Sequence, residues 1–134
     1  MILKMRVMVV DEQEEFREMV SGLMVEQGFE VYPAADGIDA LRQIYHVMPQ
    51  LIVSDARLAN LSGFEFLSFV KRRFPAIAIV ALDAQPEEPA QPSKLCADVL
   101  LAKQPWDPGA LLDAVEGLLG REMVTAKTED ADCA

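Results

Sequence analysis

The apolar residues of this chain follow two rhythms that alternate along its length. Short consecutive runs, Val7-Met8-Val9-Val10, Leu51-Ile52-Val53-Ser54 and Ile77 to Leu82, are bounded by charges and turn formers. Runs of this length predict strands buried on both faces, as in a parallel sheet. Between the first two runs, Phe16, Met19, Val20, Leu23 and Met24 recur at helical spacing, predicting one apolar helix face closed by Gly28. Phe29 to Ala34 reads as a weaker second strand. Asp36 is a good cap for a helix with Ile38, Leu41, Ile44, Tyr45 and Met48 on one side, stopped by Pro49.

After Asp55, a loop from Ala56 to Ser62 leads into a helix from about Gly63 to Phe74, ended by Pro75. Asp98 to Ala102 is a fifth strand. Asp107-Pro108 places a capping acid before a proline at the first helical position, and Leu111, Leu112, Val115, Leu118 and Leu119 form the face of a last helix that Gly120 ends. Strands alternating with helices imply right-handed crossovers and a parallel sheet covered on both sides. The rhythm breaks once. Pro86, Pro89 and Pro92 cannot sit in an ordinary helix interior, so the crossover between the fourth and fifth strands is expected to lack its helix or to shrink to a turn around Ser93 to Cys96. Residues 1–120 are expected to form the domain and residues 121–134 a polar C-terminal tail.

Composition narrows the classes. A net charge of −10, from 22 acids and 12 bases, argues against a nucleic-acid surface, which needs a clustered basic face. Cys96 and Cys133 have neither zinc-site spacing nor the density of a disulfide framework, so a reduced, cytoplasmic compartment is the simplest expectation. Neither a signal-peptide pattern nor an apolar run long enough to span a bilayer is present, and no membrane partner is expected.

The chemistry lies where the strands stop. Three of the apolar runs end on acids: Asp11-Glu12, Asp55 and Asp83. Ligands of open parallel sheets bind beyond the carboxyl ends of the strands, so these acids are aimed at one place. Taken singly, Asp11 and Glu12 could be helix caps, Asp55 a turn residue and Lys103 a solvated strand-end charge.

Together, several spacings resemble the receiver domain of two-component response regulators, over about Lys4 to Gly120. An acidic pair ends the first strand and a lone Asp55 ends the third. Gly63 follows eight residues later, Lys103 ends the fifth strand, and Pro105-Trp106 precedes the last helix. The resemblance implies a flavodoxin-like α/β three-layer fold with a five-stranded parallel sheet in the order 2-1-3-4-5. It implies that Asp55 is the phosphoacceptor for a histidine kinase or a small phosphodonor. Asp11, Glu12, Asp55 and the backbone carbonyl of Arg57 would hold Mg²⁺, and Lys103 would neutralise a phosphoryl oxygen. Such a domain is a signalling module rather than an enzyme. It would work through a downstream protein partner, or through a second copy, on the face of the fifth strand and last helix. No output domain is expected within the sequence.

Several positions depart from the family pattern. Asp83 stands where receivers carry Thr or Ser, and Leu100 where they carry Tyr or Phe, so both halves of the usual hydroxyl–aromatic switch differ. An ionised Asp83 would repel a phosphoryl group unless it were protonated, paired with Lys103 or turned to solvent. Glu12 is longer than the usual aspartate, and Ala59 replaces a common proline. Counting from the strand start makes Lys103 the family lysine, whereas counting back from Pro105-Trp106 points to Gln104; Lys103 with one inserted residue is preferred. Arg57 is expected to be an exposed loop residue, Trp106 a surface aromatic near the fifth strand, and His46 structural. The departures also motivate a pseudo-receiver that binds partners without phosphorylation. A small Mg²⁺-dependent phosphatase is weaker, because Arg57 stands where such enzymes carry a general acid.

Overall fold

A computed structural model describes residues 4–58, 63–84 and 96–120. Its elements are β1 (Arg6–Val10), α1 (Glu14–Glu26), β2 (Glu30–Ala34), α2 (Gly37–Val47), β3 (Leu51–Asp55), α3 (Gly63–Arg73), β4 (Ala78–Asp83), β5 (Val99–Ala102) and α4 (Pro108–Leu119). All strand pairs are parallel, in the order β2-β1-β3-β4-β5. This is the doubly wound sheet expected from the sequence, with strand and helix ends displaced by a residue or so. The expected loss of a helix in the fourth crossover falls on residues 85–95, and the polar tail on residues 121–134; both lie outside the described residues.

The local signals act as the sequence suggests. The Asp36 carboxylate accepts from Asp39 N–H to start α2, and that of Asp107 accepts from Ala110 N–H to start α4. Gly28 takes a left-handed φ of 94° just past α1, and its N–H donates to Val25 O, a conformation open to glycine at no steric cost. Met48 was expected on the apolar side of α2. It is instead the left-handed residue that ends the helix, and it is exposed along with Ile38 and Tyr45. The buried residues of the helix are Gly37, Ala40 and Ile44.

The sheet divides the core in two. Met8, Val10, Ile52, Ile79 and Ala81 pack toward α2 and α3, with Ile44, Phe66, Leu67 and Val70. Val7, Val9, Leu51, Val53, Val80 and Leu82 pack toward α1 and α4, with Val20, Met24, Leu111 and Val115. Successive strand residues face opposite sides, so this alternation also decides where each strand-end side chain points. Leu100 is partly buried and packs against the α2/α3 side of the core. Cys96 is disulfide-bonded rather than a free thiol. Sequence spacing could not give this, because the entropy of closing a loop grows only slowly with its length. No helix among the described residues is long and apolar enough to cross a membrane.

Candidate functional site at the carboxyl edge of the sheet

The site residues sit on or just beyond the last rungs of the ladder. Asp11 follows β1, and its N–H donates to Ala34 O of β2 at 3.1 Å. Ala56, directly after Asp55, donates to Leu82 O at 2.8 Å, and Lys103 N–H donates to Asp83 O at 2.9 Å. The parallel register therefore brings Asp11, Asp55, Asp83 and Lys103 to one edge, all of them buried.

Within that edge they form two groups. Lys103 Nζ lies 2.8 Å from Asp11 Oδ2 and 3.3 Å from Asp55 Oδ2, one ammonium bridging two carboxylates. The other carboxylate oxygens are held by main chain: Gln13 N–H donates to Asp11 Oδ1 at 2.9 Å, and Arg57 N–H to Asp55 Oδ1 at 3.1 Å. Asp11 is further fixed by Arg17, whose guanidinium donates to its carbonyl at 2.7 Å. The Lys103 ammonium also stands 4.5 Å from the centroid of the Phe16 ring, which packs edge-on against Trp106 at 4.9 Å. Burial pushes the Asp55 carboxyl above the ordinary carboxylate range, the nearby Asp11 charge adds to this, and the Arg57 N–H and Lys103 oppose it.

The second group is Asp83 with Arg57. The guanidinium forks onto the carboxylate, Nε to Oδ1 at 2.9 Å and Nη2 to Oδ2 at 3.4 Å. The Asp83 side chain is 4% exposed and that of Arg57 43%. Two expectations are corrected here. Asp83 neither turns to solvent nor pairs with Lys103, and Arg57 contributes its side chain as well as its main chain. The pleat gives the reason. Asp11, Asp55 and Lys103 continue the strand positions that face α1 and α4, whereas Asp83 follows Ile79 and Ala81 on the α2/α3 side.

The Lys103–Gln104 ambiguity also has a geometric answer: Lys103 is buried among the acids, Gln104 is exposed, and the Gln104–Pro105 peptide is cis. Trp106 packs half-buried around β5 and α4, as expected, and neighbours the site through Phe16. Phe16 drew notice only as a core-facing helix position; no sequence signal separates a ring that packs from one that also meets an ammonium. His46, on α2, is exposed near the opposite ends of the strands.

Asp11 and Asp55 together present hard oxygen donors of the kind Mg²⁺ takes, and that ion commonly uses one or two carboxylates with water and substrate phosphate. The pair fits a magnesium site in this limited sense. Glu12 is exposed, and among the described residues no group of three His, Cys, Asp or Glu side chains converges closely enough to hold a metal.

Comparison with known proteins agrees with this fold. The family model for the response regulator receiver domain matches residues 7–116. The chain belongs to that family. Among its relatives, the phosphate regulon transcriptional regulatory protein PhoB of Escherichia coli is 31% identical over 120 residues, covering 87% of this chain and 52% of PhoB. The response regulator Rre1 of Synechocystis is 29% identical over 124 residues, covering 89% of this chain and 53% of Rre1. The chain thus spans about half the length of the curated relatives it matches. Among solved structures, the chemotaxis response regulator CheY4 of Vibrio cholerae superposes with a TM-score of 0.74 at 30% identity, covering 85% of this chain and 98% of CheY4. The signal receiver domain of an HD domain-containing protein from Pseudomonas fluorescens shares the fold with a TM-score of 0.81 at 22% identity, covering 92% of this chain and 100% of that one.

Proposed function

We propose that Asp55 accepts a phosphoryl group and that the modified domain signals through protein–protein contacts. The observation that carries this is the buried Asp55 carboxylate, held by the Arg57 N–H and Lys103 at the carboxyl edge of the sheet. A carboxylate oxygen of Asp55 attacks the phosphorus of the donor. The bond from phosphorus to the leaving group breaks, its electron pair departs with that group, and an acyl phosphate remains on Asp55. Little covalent chemistry is asked of the protein, so positioning and charge stabilisation dominate. The main-chain N–H of Arg57 and the ammonium of Lys103 orient the nucleophile, and Lys103 is placed to meet a phosphoryl oxygen in a site screened from water.

Asp11 and Asp55 would hold Mg²⁺, with Glu12 and the carbonyl of Arg57 as the remaining family positions. When bound, the ion supplies positive charge that offsets repulsion between these carboxylates and the phosphoryl oxygens. The donor is a histidine kinase or a small phosphodonor. The partner is a second protein, or a second copy of this chain, meeting the face of β5 and α4. A net charge of −10 supports protein rather than nucleic acid as that partner. A cytoplasmic location, where a kinase or small phosphodonor would supply the group, suits a signal of this kind.

The test is an intact-mass time course with Mg²⁺ and acetyl phosphate. One phosphoryl adduct per chain is expected in the native protein and none in Asp55→Asn. An adduct that persists in Asp55→Asn, or no adduct with any donor, would sink the proposal.

A further inference from the structure

The Arg57–Asp83 pair is left without a role by phosphoacceptance alone. It is built from two residues that the family pattern does not require, and it lies one strand away from the acceptor. Asp55 pairs with Leu82 in the β3–β4 register, so Asp83 is the next residue along the neighbouring strand. Adjacent strands are only about 4.8 Å apart. The Arg57 main chain already touches the acceptor, since its N–H donates to Asp55 Oδ1. One residue thus holds the acceptor by its backbone and a neighbouring acid by its side chain.

We propose that the Arg57 guanidinium is a second phosphoryl-binding cation, held on Asp83 in the unmodified domain and exchanged onto the phosphoryl group once Asp55 is modified. This rests on Asp55 being the phosphoacceptor. Three observations carry it further than a structural ion pair. First, the guanidinium is 43% exposed while its partner is 4% exposed, so the cation has open space to move through and the anion does not. Second, the fork is uneven, at 2.9 and 3.4 Å, so one of its two bonds is already long. Third, an acyl phosphate places about −2 charge and three phosphoryl oxygens beside the Arg57 main chain where the Asp55 carboxylate carried −1, against the single charge of Asp83. A planar guanidinium is well suited to phosphate, and the dianion is the stronger partner.

The exchange would do for this chain what a hydroxyl does where receivers carry Thr or Ser: it brings a side chain from the β3–β4 edge to the phosphoryl group. It also removes the objection to Asp83. Before modification the acid is paired with Arg57, which offsets its charge as the donor approaches.

The test is a cycle of four full-length proteins: native, Arg57→Gln, Asp83→Asn and the double variant. Each is treated with Mg²⁺ and acetyl phosphate, and adduct formation and its decay after donor removal are followed by intact mass. Asp83→Asn keeps the shape of the acid while removing its charge, and should gain the adduct faster and hold it longer. Adding Arg57→Gln to Asp83→Asn should then shorten adduct lifetime about tenfold, the effect of losing a hydrogen bond to a charged group. Arg57→Lys in the same background should recover part of that loss. Equal lifetimes in Asp83→Asn and the double variant would overturn the exchange and leave Asp55 as phosphoacceptor intact, the pair then being neutralising only. No adduct on any of the four would overturn phosphoacceptance, and the exchange with it.

Discussion

Two ion pairs share the carboxyl edge of this sheet, and they are built on opposite terms. At the first, one buried ammonium, Lys103, serves two buried carboxylates, Asp11 and Asp55, which leaves an excess of negative charge in a dry place. At the second, a half-exposed guanidinium forks onto one buried carboxylate. The difference teaches which group is poised for chemistry. Two acids sharing a single buried cation still have an appetite for positive charge. The first group is therefore where the proposed divalent cation would sit.

The comparison is broken most severely by removing each cation in turn. Lys103→Met leaves two desolvated carboxylates facing each other. Breaking a buried pair in this way costs about 3–5 kcal/mol, to be read from urea unfolding. Arg57→Gln removes a cation that water already reaches but strips it from the buried Asp83 carboxylate, and should cost less, about 1–3 kcal/mol, in the same assay. Equal losses would mean that exposure of the cation does not separate the two groups.

A smaller effect is expected from the aromatic wall of the first group. Phe16 presents its ring to Lys103 at 4.5 Å and its edge to Trp106. Phe16→Leu keeps the core filled but removes the cation–π contact and the aromatic pair, for a loss of about 1–2 kcal/mol. Trp106 is the only tryptophan, so its fluorescence should report both this substitution and any cation that displaces Lys103. An unchanged emission spectrum in Phe16→Leu would show that Trp106 does not sense the site.

Much of this was legible beforehand. Short apolar runs ending on acids gave the strands, and parallel topology gave the shared edge to which Asp11, Asp55, Asp83 and Lys103 all come. What the run pattern hid was the pleat. In strands buried on both faces every position is apolar, so the sequence carries no polar alternation to say which side a strand-end residue takes. Counting by twos from the acid would have separated Asp83 from Lys103, because Val99, Leu101 and Lys103 share a face with Leu51, Val53 and Asp55, and Asp83 does not. The partner of Asp83 was beyond counting. Arg57 lies past the end of β3, and a loop arginine's side chain follows from tertiary packing rather than from local pattern.

The smallest effect decides how open the first group is. Burial raises the Asp55 carboxyl above its ordinary value of 3.8, with Asp11 adding and Lys103 and the Arg57 N–H opposing. Between 3.8 and the raised native value, the folded protein binds more protons at Asp55 than the unfolded chain does. Stability linked to this group is then fully present below the unfolded value and is lost as pH rises through the native one. Ionised Asp55 is thus a net cost to folding at neutral pH, as befits a carboxylate kept for reaction. Asp55→Asn keeps the shape without the charge, so it should melt higher than the native protein at neutral pH. That advantage should shrink as pH falls through the native value and reach its floor below the unfolded one. Melting curves for both proteins from about pH 3 to pH 8 would show the difference. A native protein that outlasts Asp55→Asn at neutral pH would mean that Lys103 and the Arg57 N–H outweigh burial. The first group would then be a closed ion pair like the second, and the contrast between them would fail.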